Sequence, residues 1–97
     1  MRQFDIVELS DKSLAVILQA DLLDTTTTCV VAPLVRDDAV SAAARLHPKL
    51  RVGRRDYVML AEKLGAVFRS DLVRVMRSAK DREWDLRRAL DIVFVGV

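Results

Sequence analysis

Residues 78–97 read SAKDREWDLRRALDIVFVGV, and this stretch predicts one amphipathic helix. Four of its apolar residues recur at a spacing that places them on one face of a 3.6-residue period. They are Leu86, Ala89, Leu90 and Val93. Ser78 and Asp81 have the spacing of a capping box, which starts a helix by satisfying its free N–H groups. Gly96 ends the helical pattern.

The tail after this helix, residues 94–97, contains no polar side chain. A free chain end normally frays and is polar, so we expect something to cover this one. The tail either packs on its own domain, as most apolar stretches do, or forms an exposed tip that docks on another protein. The residues alone leave both interpretations open.

Length and composition predict one small domain over residues 1–97. A chain of this size buries roughly two thirds of its unfolded surface, which is enough for one core. Hydrophobic residues make up 52% of the chain, and the surplus favours a further interface such as that of a homodimer. The formal net charge of +2 is too small to indicate nucleic-acid binding by itself.

Cysteine usage and hydropathy predict a cytoplasmic protein. Cys29 is the single cysteine and forms no internal disulfide, which fits a reducing compartment. We expect it to be a buried, inert thiol. No run approaches ~18 apolar residues, so we expect no membrane span. Residues 1–5 show no secretory signal.

Short β-strands are predicted over most of the chain before the helix. They cover residues 3–9, 14–18, 29–35, 49–53 and 57–60, and another short strand begins near residue 67. The first two form a hairpin, and the chain up to residue 76 is expected to approach the helix irregularly. Pro33 cannot donate to a β-ladder, so it predicts an edge or a bulge. We therefore expect a mainly β fold, a small barrel or curled sheet with a terminal helix packed on it.

Two connecting segments have ambiguous patterns. Residues 37–46 read locally as a helix, with an aspartate cap, an alanine run and Pro48 as the stop. Leu22 and Leu23 are bracketed by aspartates in a connection. They are either exposed, as loop residues usually are, or they plug the open end of a barrel.

Candidates for chemistry are weak throughout the chain. His47 has no acid or nucleophile near it in sequence, so a structural or surface role is favoured over that of a general base. Asp37 with Asp38 favours a helix cap over a metal site, and Asp21 with Asp24 supplies too few oxygen ligands for Ca²⁺ or Mg²⁺. One Cys and one His cannot form a structural zinc site. We therefore predict no catalytic residues, no metal and no cofactor.

A basic cluster of Arg51, Arg54 and Arg55 surrounds a predicted turn at residues 54–56. Such clusters are usually solvated surface, and contact with RNA phosphates is the alternative.

Several blocks, spread from end to end, resemble the CcdB family of toxins, the gyrase-poisoning half of plasmid-type toxin–antitoxin modules. The blocks are QF at 3–4, QADLLDT at 19–25, VVAPL at 30–34, LHP at 46–48, VG at 52–53 and DLRRALDIVFVGV at 85–97. Each block is weak alone, and their order and spacing carry the resemblance.

The resemblance implies an SH3-like barrel of antiparallel strands with a small side sheet and a C-terminal helix. It also implies extended chain, in place of a helix, at residues 37–46. Family members are two-fold dimers and not enzymes; they enter the dimer cleft of the gyrase A subunit and trap gyrase with its DNA cleaved. A CcdA-like antitoxin wraps the toxin with a disordered segment, and the complex binds operator DNA through the antitoxin and represses its own operon.

The resemblance places gyrase binding on seven residues: Leu22, Leu23, Asp91, Phe94, Val95, Gly96 and Val97. The family's best-known members end in Trp-Gly-Ile, and that tryptophan stacks on a gyrase arginine. Here Val95 takes its place, and Asp91 stands where the family has a neutral amide. Two other functions therefore stay open: a MazF-like endoribonuclease on the same barrel, and a non-toxic relic that keeps only antitoxin binding.

Overall fold

A computed structural model describes residues 1–37 and 45–96 of the chain. Within these residues the chain forms seven strands and one α-helix. The strands are β1 (Asp5–Leu9), β2 (Leu14–Ile17), β3 (Thr28–Arg36), β4 (Lys49–Val52), β5 (Arg55–Met59), β6 (Gly65–Phe68) and β7 (Leu72–Ser78), and the helix is α1 (Glu83–Phe94). The mainly β fold with one C-terminal helix is confirmed, and the predicted strands differ from the observed ones only in their bounds.

All strand pairs are antiparallel and belong to one curled sheet, with the order β4–β5–β3–β2–β1–β7 and β6 beside β3. β3 is the centre of the sheet. It pairs with β2 along one edge, and its other edge is shared between β6 at residues 28–31 and β5 at residues 34–36. The sheet thus divides at the middle of β3.

Pro33 lies at this division. Its carbonyl oxygen accepts a hydrogen bond of 2.9 Å from the N–H of Leu60. Because the N and O of one strand residue point to the same side, the Pro33 nitrogen faces the gap between β5 and β6, where no ladder partner is needed. The proline therefore marks a break in the pairing and not an edge strand.

The core occupies both faces of the sheet. On one face α1 packs its Leu86 and Ala89, both fully buried, against Phe4, Ile6 and Val16. The helical face predicted from the sequence is confirmed, since Leu90 and Val93 pack against the same cluster. On the other face a smaller cluster contains Val7, Ala15, Ile17, Cys29 and Val31. Successive residues of β1 and β2 therefore contribute to opposite faces of the sheet, as the period of two in a β-strand requires when both faces are buried.

The prediction of an irregular approach to the helix was wrong, because residues 72–78 form strand β7. The register against β1 shifts twice: Leu9 pairs with Leu72 but Glu8 with Arg74, and Val7 pairs with Val75 but Ile6 with Arg77. The two extra residues are Val73 and Met76, and each is a β-bulge. The bulges interrupt the alternating pattern by which a strand is recognised in sequence.

The predicted capping box was also wrong. The hydroxyl of Ser78 accepts a 3.1 Å hydrogen bond from the N–H of Lys80, but this bond opens a 3₁₀ turn at Lys80–Arg82. Asp81 lies 3.5 Å from Arg77 and returns no bond to Ser78. α1 begins only at Glu83, and its N-terminal residue has no side-chain cap. The intervening 3₁₀ turn displaced the start of the helix.

The predicted helix at residues 37–46 falls largely on residues 38–44, which lie outside the described residues, so it stays a prediction. No helix in the described parts of the chain is both long and apolar enough to cross a membrane.

Candidate functional site

The Leu22–Leu23 pair lies on a 3₁₀ turn at Asp21–Leu23, between β2 and β3. Leu22 is 90% exposed and Leu23 is 49% exposed. Of the two interpretations of this pair, exposure is confirmed for Leu22, since a plug in a barrel end would be buried. A leucine that is exposed to this extent stabilises nothing within the chain, which makes it a candidate contact for a partner.

Side-chain hydrogen bonds hold this turn in place from three directions. Gln19 Nε2 donates to the Leu23 carbonyl oxygen at 2.9 Å, and Gln19 Oε1 accepts from the N–H of Val30 at 3.2 Å. Arg69 Nη2 donates to the Leu23 carbonyl oxygen at 2.8 Å. Asp21 Oδ1 accepts from the N–H of Gln3 at 2.7 Å. The turn is therefore a fixed structure that presents its leucines to solvent.

The end of α1 is the second exposed apolar element. Phe94 is 71% exposed and Val95 is 70% exposed. Gly96 follows with φ at +85°, and its N–H donates to the carbonyl oxygens of Asp91 and Ile92. A glycine is suited to this left-handed conformation, which closes the helix and turns the chain away. Val97 lies outside the described residues.

The two elements meet at one shallow apolar groove of about 310 Å³. Leu23 lines it from the turn and Phe94 from the helix, with Leu64 and Leu90 among the residues between them. Leu22 and Val95 do not line the groove and are exposed next to their neighbours in the chain. We call the surface of Leu22, Leu23, Phe94 and Val95 the apolar face.

Three exposed carboxylates adjoin the two segments of the apolar face. Asp21 and Asp24 flank the leucine pair, and Asp91 is exposed one turn before Val95 on α1. Arg69 is the cation that contacts the turn. The face is thus apolar with a mostly acidic border, as is usual for the polar rim of a protein interface.

Sequence reasoning missed two residues near this face. Phe68 is 62% exposed and pairs with Thr28, two residues before Val30, so it projects from the side of the sheet where Val30 lines the groove. Arg69, the next residue, holds the turn. Neither had a signal in the sequence, because their contacts depend on the pairing of β6 with β3.

The other candidates do not form a catalytic group. His47 Nε2 lies 2.7 Å from Glu62 Oε2 and 3.0 Å from Glu62 Oε1. Arg51 contacts its own hairpin through Gly53 and Asp56. No group of three His, Cys, Asp or Glu residues that could hold a metal occurs in the described ranges. Cys29 is 1% exposed, as expected, and burial raises the pKa of its thiol.

Solved structures similar to this chain include endoribonucleases and MazF toxins, some of them in complex with an antitoxin. A mycobacterial endoribonuclease solved in complex with its cognate antitoxin superposes with a TM-score of 0.81 at 10% identity, covering 98% of this chain and 95% of that one. The Mycobacterium tuberculosis toxin MazF-mt6 gives 0.78 at 17% identity over 97% of both chains. MazE–MazF from Deinococcus radiodurans gives 0.76 at 17% identity over 100% of this chain and 98% of that one. At such low identities the likeness establishes a shared fold alone.

The sequence assigns the chain to a narrower class than its fold does. The model of one protein family, described as CcdB protein, matches residues 3–96 of the 97. The chain belongs to the CcdB family, and hence to the toxin half of toxin–antitoxin modules. A search of curated proteins found no match.

Proposed function

We propose that this protein is a gyrase-poisoning toxin that binds the gyrase A subunit and traps the gyrase–DNA cleavage complex without catalysing a reaction itself. The observation that carries the proposal is the apolar face, where the Leu22–Leu23 turn and the end of α1 meet at one groove. These are the segments that the family resemblance assigns to gyrase binding. They are far apart in sequence, yet the fold brings them together.

The apolar face has the physical properties of a docking surface. Burying an exposed Leu22 or Phe94 at an interface stabilises a complex by about 1.5–3 kcal/mol for each side chain. Hydrogen bonds from Gln19 and Arg69 already order the turn, so binding loses little conformational entropy. Leu22 and Phe94 are therefore the main anchors of the proposed complex.

Val95 weakens the proposed complex relative to family members that carry tryptophan. Losing an aromatic anchor commonly costs about 2–4 kcal/mol, which is roughly a 30- to 1,000-fold drop in affinity. The active form in our proposal is a homodimer, since two copies of the apolar face on a two-fold toxin match a two-fold target. Val73, Val75 and Met76 on the edge strand β7 are exposed and supply apolar surface for such an assembly.

Control of the toxin rests on an antitoxin partner. We propose a CcdA-like antitoxin whose disordered segment folds on this chain, and a complex that represses its own operon through the antitoxin. Family membership supports this partner.

A cleavage assay tests the proposed function. Purified protein is incubated with its host's gyrase, ATP and supercoiled plasmid, and trapped complexes are released as linear DNA by detergent and protease. We expect linear DNA with the wild type and much less with Leu22→Ala or Phe94→Ala. The amount should be unchanged with Arg36→Ala, a control at an exposed residue of β3 that belongs neither to the apolar face nor to β7. Absence of both cleaved DNA and gyrase A binding at high protein concentration contradicts the proposal.

An endoribonuclease is the second candidate function. Its support is the likeness of the fold to an endoribonuclease solved with its antitoxin, together with exposed Arg54 and Arg55 at the β4–β5 hairpin. Incubation with total RNA decides between the two candidates. RNA that is cleaved by the wild type but not by the Arg54→Gln, Arg55→Gln double variant favours the enzyme, and intact RNA excludes it. Induction in the native host without growth arrest favours the third alternative, a relic that keeps only antitoxin binding.

A further inference from the structure

The cleft between α1 and the segment that enters β4 concentrates positive charge. It has a volume of about 600 Å³, and its lining includes Arg45, His47, Lys49, Arg82, Asp85 and Arg88. Four cations face one carboxylate, so with a neutral histidine the lining carries +3, whereas the whole chain carries +2. A concave surface with this charge attracts an anion. We call it the basic cleft.

Two of the four cations are held by other groups of the chain. Arg82 Nε donates to Asp85 Oδ2 at 2.9 Å, and Arg82 Nη1 donates to the carbonyl oxygen of Lys49 at 2.8 Å. The ammonium of Lys49 lies 3.2 Å from Asp37 Oδ2. These contacts fix the geometry of the wall and neutralise part of its charge.

The other two cations, Arg45 and Arg88, form no ion pair with any residue that the structure describes. Both are exposed on the cleft wall. Their guanidinium groups present parallel N–H donors, a geometry that matches the oxygens of a phosphate.

A large aromatic side chain lies next to this pair. Trp84 is the single tryptophan of the chain and is 78% exposed. It precedes Arg88 by four residues on α1, so the two side chains are neighbours on one side of the helix. An exposed aromatic ring beside a basic groove is the arrangement by which proteins bind single-stranded nucleic acid, with a base on the ring and the backbone in the groove.

We propose that the basic cleft and Trp84 bind a nucleotide unit of a single-stranded nucleic acid, with its phosphate on Arg45 and Arg88 and its base stacked on Trp84. The cleft volume lies within the roughly 300–1,000 Å³ of small-ligand sites, which suits one or two nucleotides. An acidic peptide matches the two arginines but makes no use of the flat indole face, and a duplex keeps its bases inside the stack. This site is separate from the apolar face, and the inference does not depend on gyrase being the target.

Titration with oligothymidylate of about six nucleotides tests the site, a length within the usual range for such proteins. Trp84 fluorescence reports binding directly because no other tryptophan contributes. We expect saturable quenching, and an affinity that falls with salt with a log–log slope of about −1.4, as two phosphate contacts on a single strand predict. Thymidine monophosphate is titrated in parallel, to distinguish a free nucleotide from a nucleotide within a strand. If it binds as tightly as the oligonucleotide, the ligand of the site is a free nucleotide; if it binds more weakly, the ligand is a strand.

Substitutions locate the site when binding is followed by the anisotropy of a labelled oligonucleotide. Arg88→Gln, Arg45→Gln and Trp84→Ala should each lower the affinity about tenfold. The matched control is Arg74→Gln, which removes an exposed arginine of β7 that pairs with Glu8, and it should leave the affinity within twofold of the wild type. Circular dichroism checks that each variant is folded, as expected for exposed side chains.

Three outcomes overturn the proposal. The first is that Arg74→Gln lowers the affinity for the oligonucleotide as much as Arg88→Gln does. Equal losses would mean that the oligonucleotide is held by non-specific charge attraction. The second is inorganic phosphate binding as tightly as the nucleotide, because Trp84 then contributes nothing. The third is that a glutamate-rich peptide binds through Arg45 and Arg88 and the oligonucleotide does not bind. The basic cleft would then be a contact site for a protein. None of these assays contains gyrase, so they fail or succeed independently of the proposed function.

Discussion

Arg69 donates a hydrogen bond of 2.8 Å from Nη2 to the carbonyl oxygen of Leu23. A second bond runs from Arg69 Nε to the carbonyl oxygen of Thr26. Arg69 lies between β6 and β7, so its side chain links the connection between these two strands to the turn that carries Leu22. The shape of the apolar face therefore depends on a residue that is not one of its apolar contacts.

Arg69→Ala should loosen this turn while the sheet stays folded. Hydrogen bonds from a charged donor contribute about 1.5–3 kcal/mol each, and solvent exposure lowers this, so we expect the free energy of unfolding to fall by about 1 kcal/mol. Amides at residues 22–27 should exchange with deuterium faster, and those of β2 should not. Arg74→Ala, which removes a cation paired with Glu8, is the control and should leave the turn unchanged. Equal exchange rates in wild type and Arg69→Ala contradict this role.

Val95→Trp should strengthen binding to a gyrase A fragment. Val95 is 70% exposed, so the larger ring has room and the thermal midpoint should shift little. A gain of about 1 kcal/mol in each chain of a dimer amounts to roughly 30-fold tighter binding, which calorimetry measures. If the variant folds but binds the gyrase A fragment no more tightly, the tail binds a different target surface. If the variant does not fold, the tail belongs to the core. Arg36→Trp, at an exposed residue of β3 outside the apolar face and β7, is a control for added aromatic surface.

Glu83→Gln should change how stability depends on pH. Hydrogen bonds from Arg87 first and Lys80 second hold the pKa of the Glu83 carboxyl below its ordinary value of 4.5. A lowered pKa means that folding favours the ionised form. The wild type should therefore exceed Glu83→Gln in stability above pH 4.5, and the difference should disappear as pH falls through the lowered pKa. Chemical denaturation at several pH values measures it.

The control for this prediction is the same substitution in an Arg87→Gln, Lys80→Gln background. There the carboxyl has lost both donors, and the pH-dependent difference should vanish. A difference that persists in this background assigns the effect to the position of Glu83 in the first turn of α1 and contradicts the role of its two partners.

Cys29 should react with thiol reagents only when the protein opens. Its side chain is 1% exposed, and burial raises the pKa of the thiol, which lowers the fraction present as thiolate at neutral pH. We expect labelling with a chromogenic disulfide to be roughly 10³-fold slower or more in the native state than in guanidinium. Native labelling at the rate of the unfolded chain would place Cys29 at the surface.

Local patterns in the sequence predicted the elements whose burial follows a simple period. Leu86 and Ala89 are buried where the helical spacing placed them, and β2 and β3 occupy the predicted apolar runs. The position of Leu22 between aspartates left exposure and burial in a barrel end both open, and the structure decides for exposure. In each case the environment of a residue depends on neighbours within a few positions along the chain.

The parts that were not predicted depend on contacts between distant residues. Val73 and Met76 are bulges in the pairing of β7 with β1, and no local pattern records the register between these two distant strands. Arg69 reaches Leu23 only after β6 has paired with β3. The basic cleft likewise requires α1 to lie against the segment that enters β4. Sequence reasoning therefore identified the Leu22–Leu23 turn and the end of α1, and it missed Phe68 and Arg69 beside them.

The packing of Leu86 and Ala89 against Phe4 and Ile6 has a consequence for synthesis on the ribosome. The helix is translated after every strand that it covers, so one face of the nascent sheet stays uncovered until α1 has emerged. During that interval the polypeptide is prone to aggregate and is a natural client of chaperones. Phe94 and Leu23 also come together only when α1 docks. The surface that we propose for binding gyrase therefore cannot form before α1 has been translated, which delays any toxicity until then.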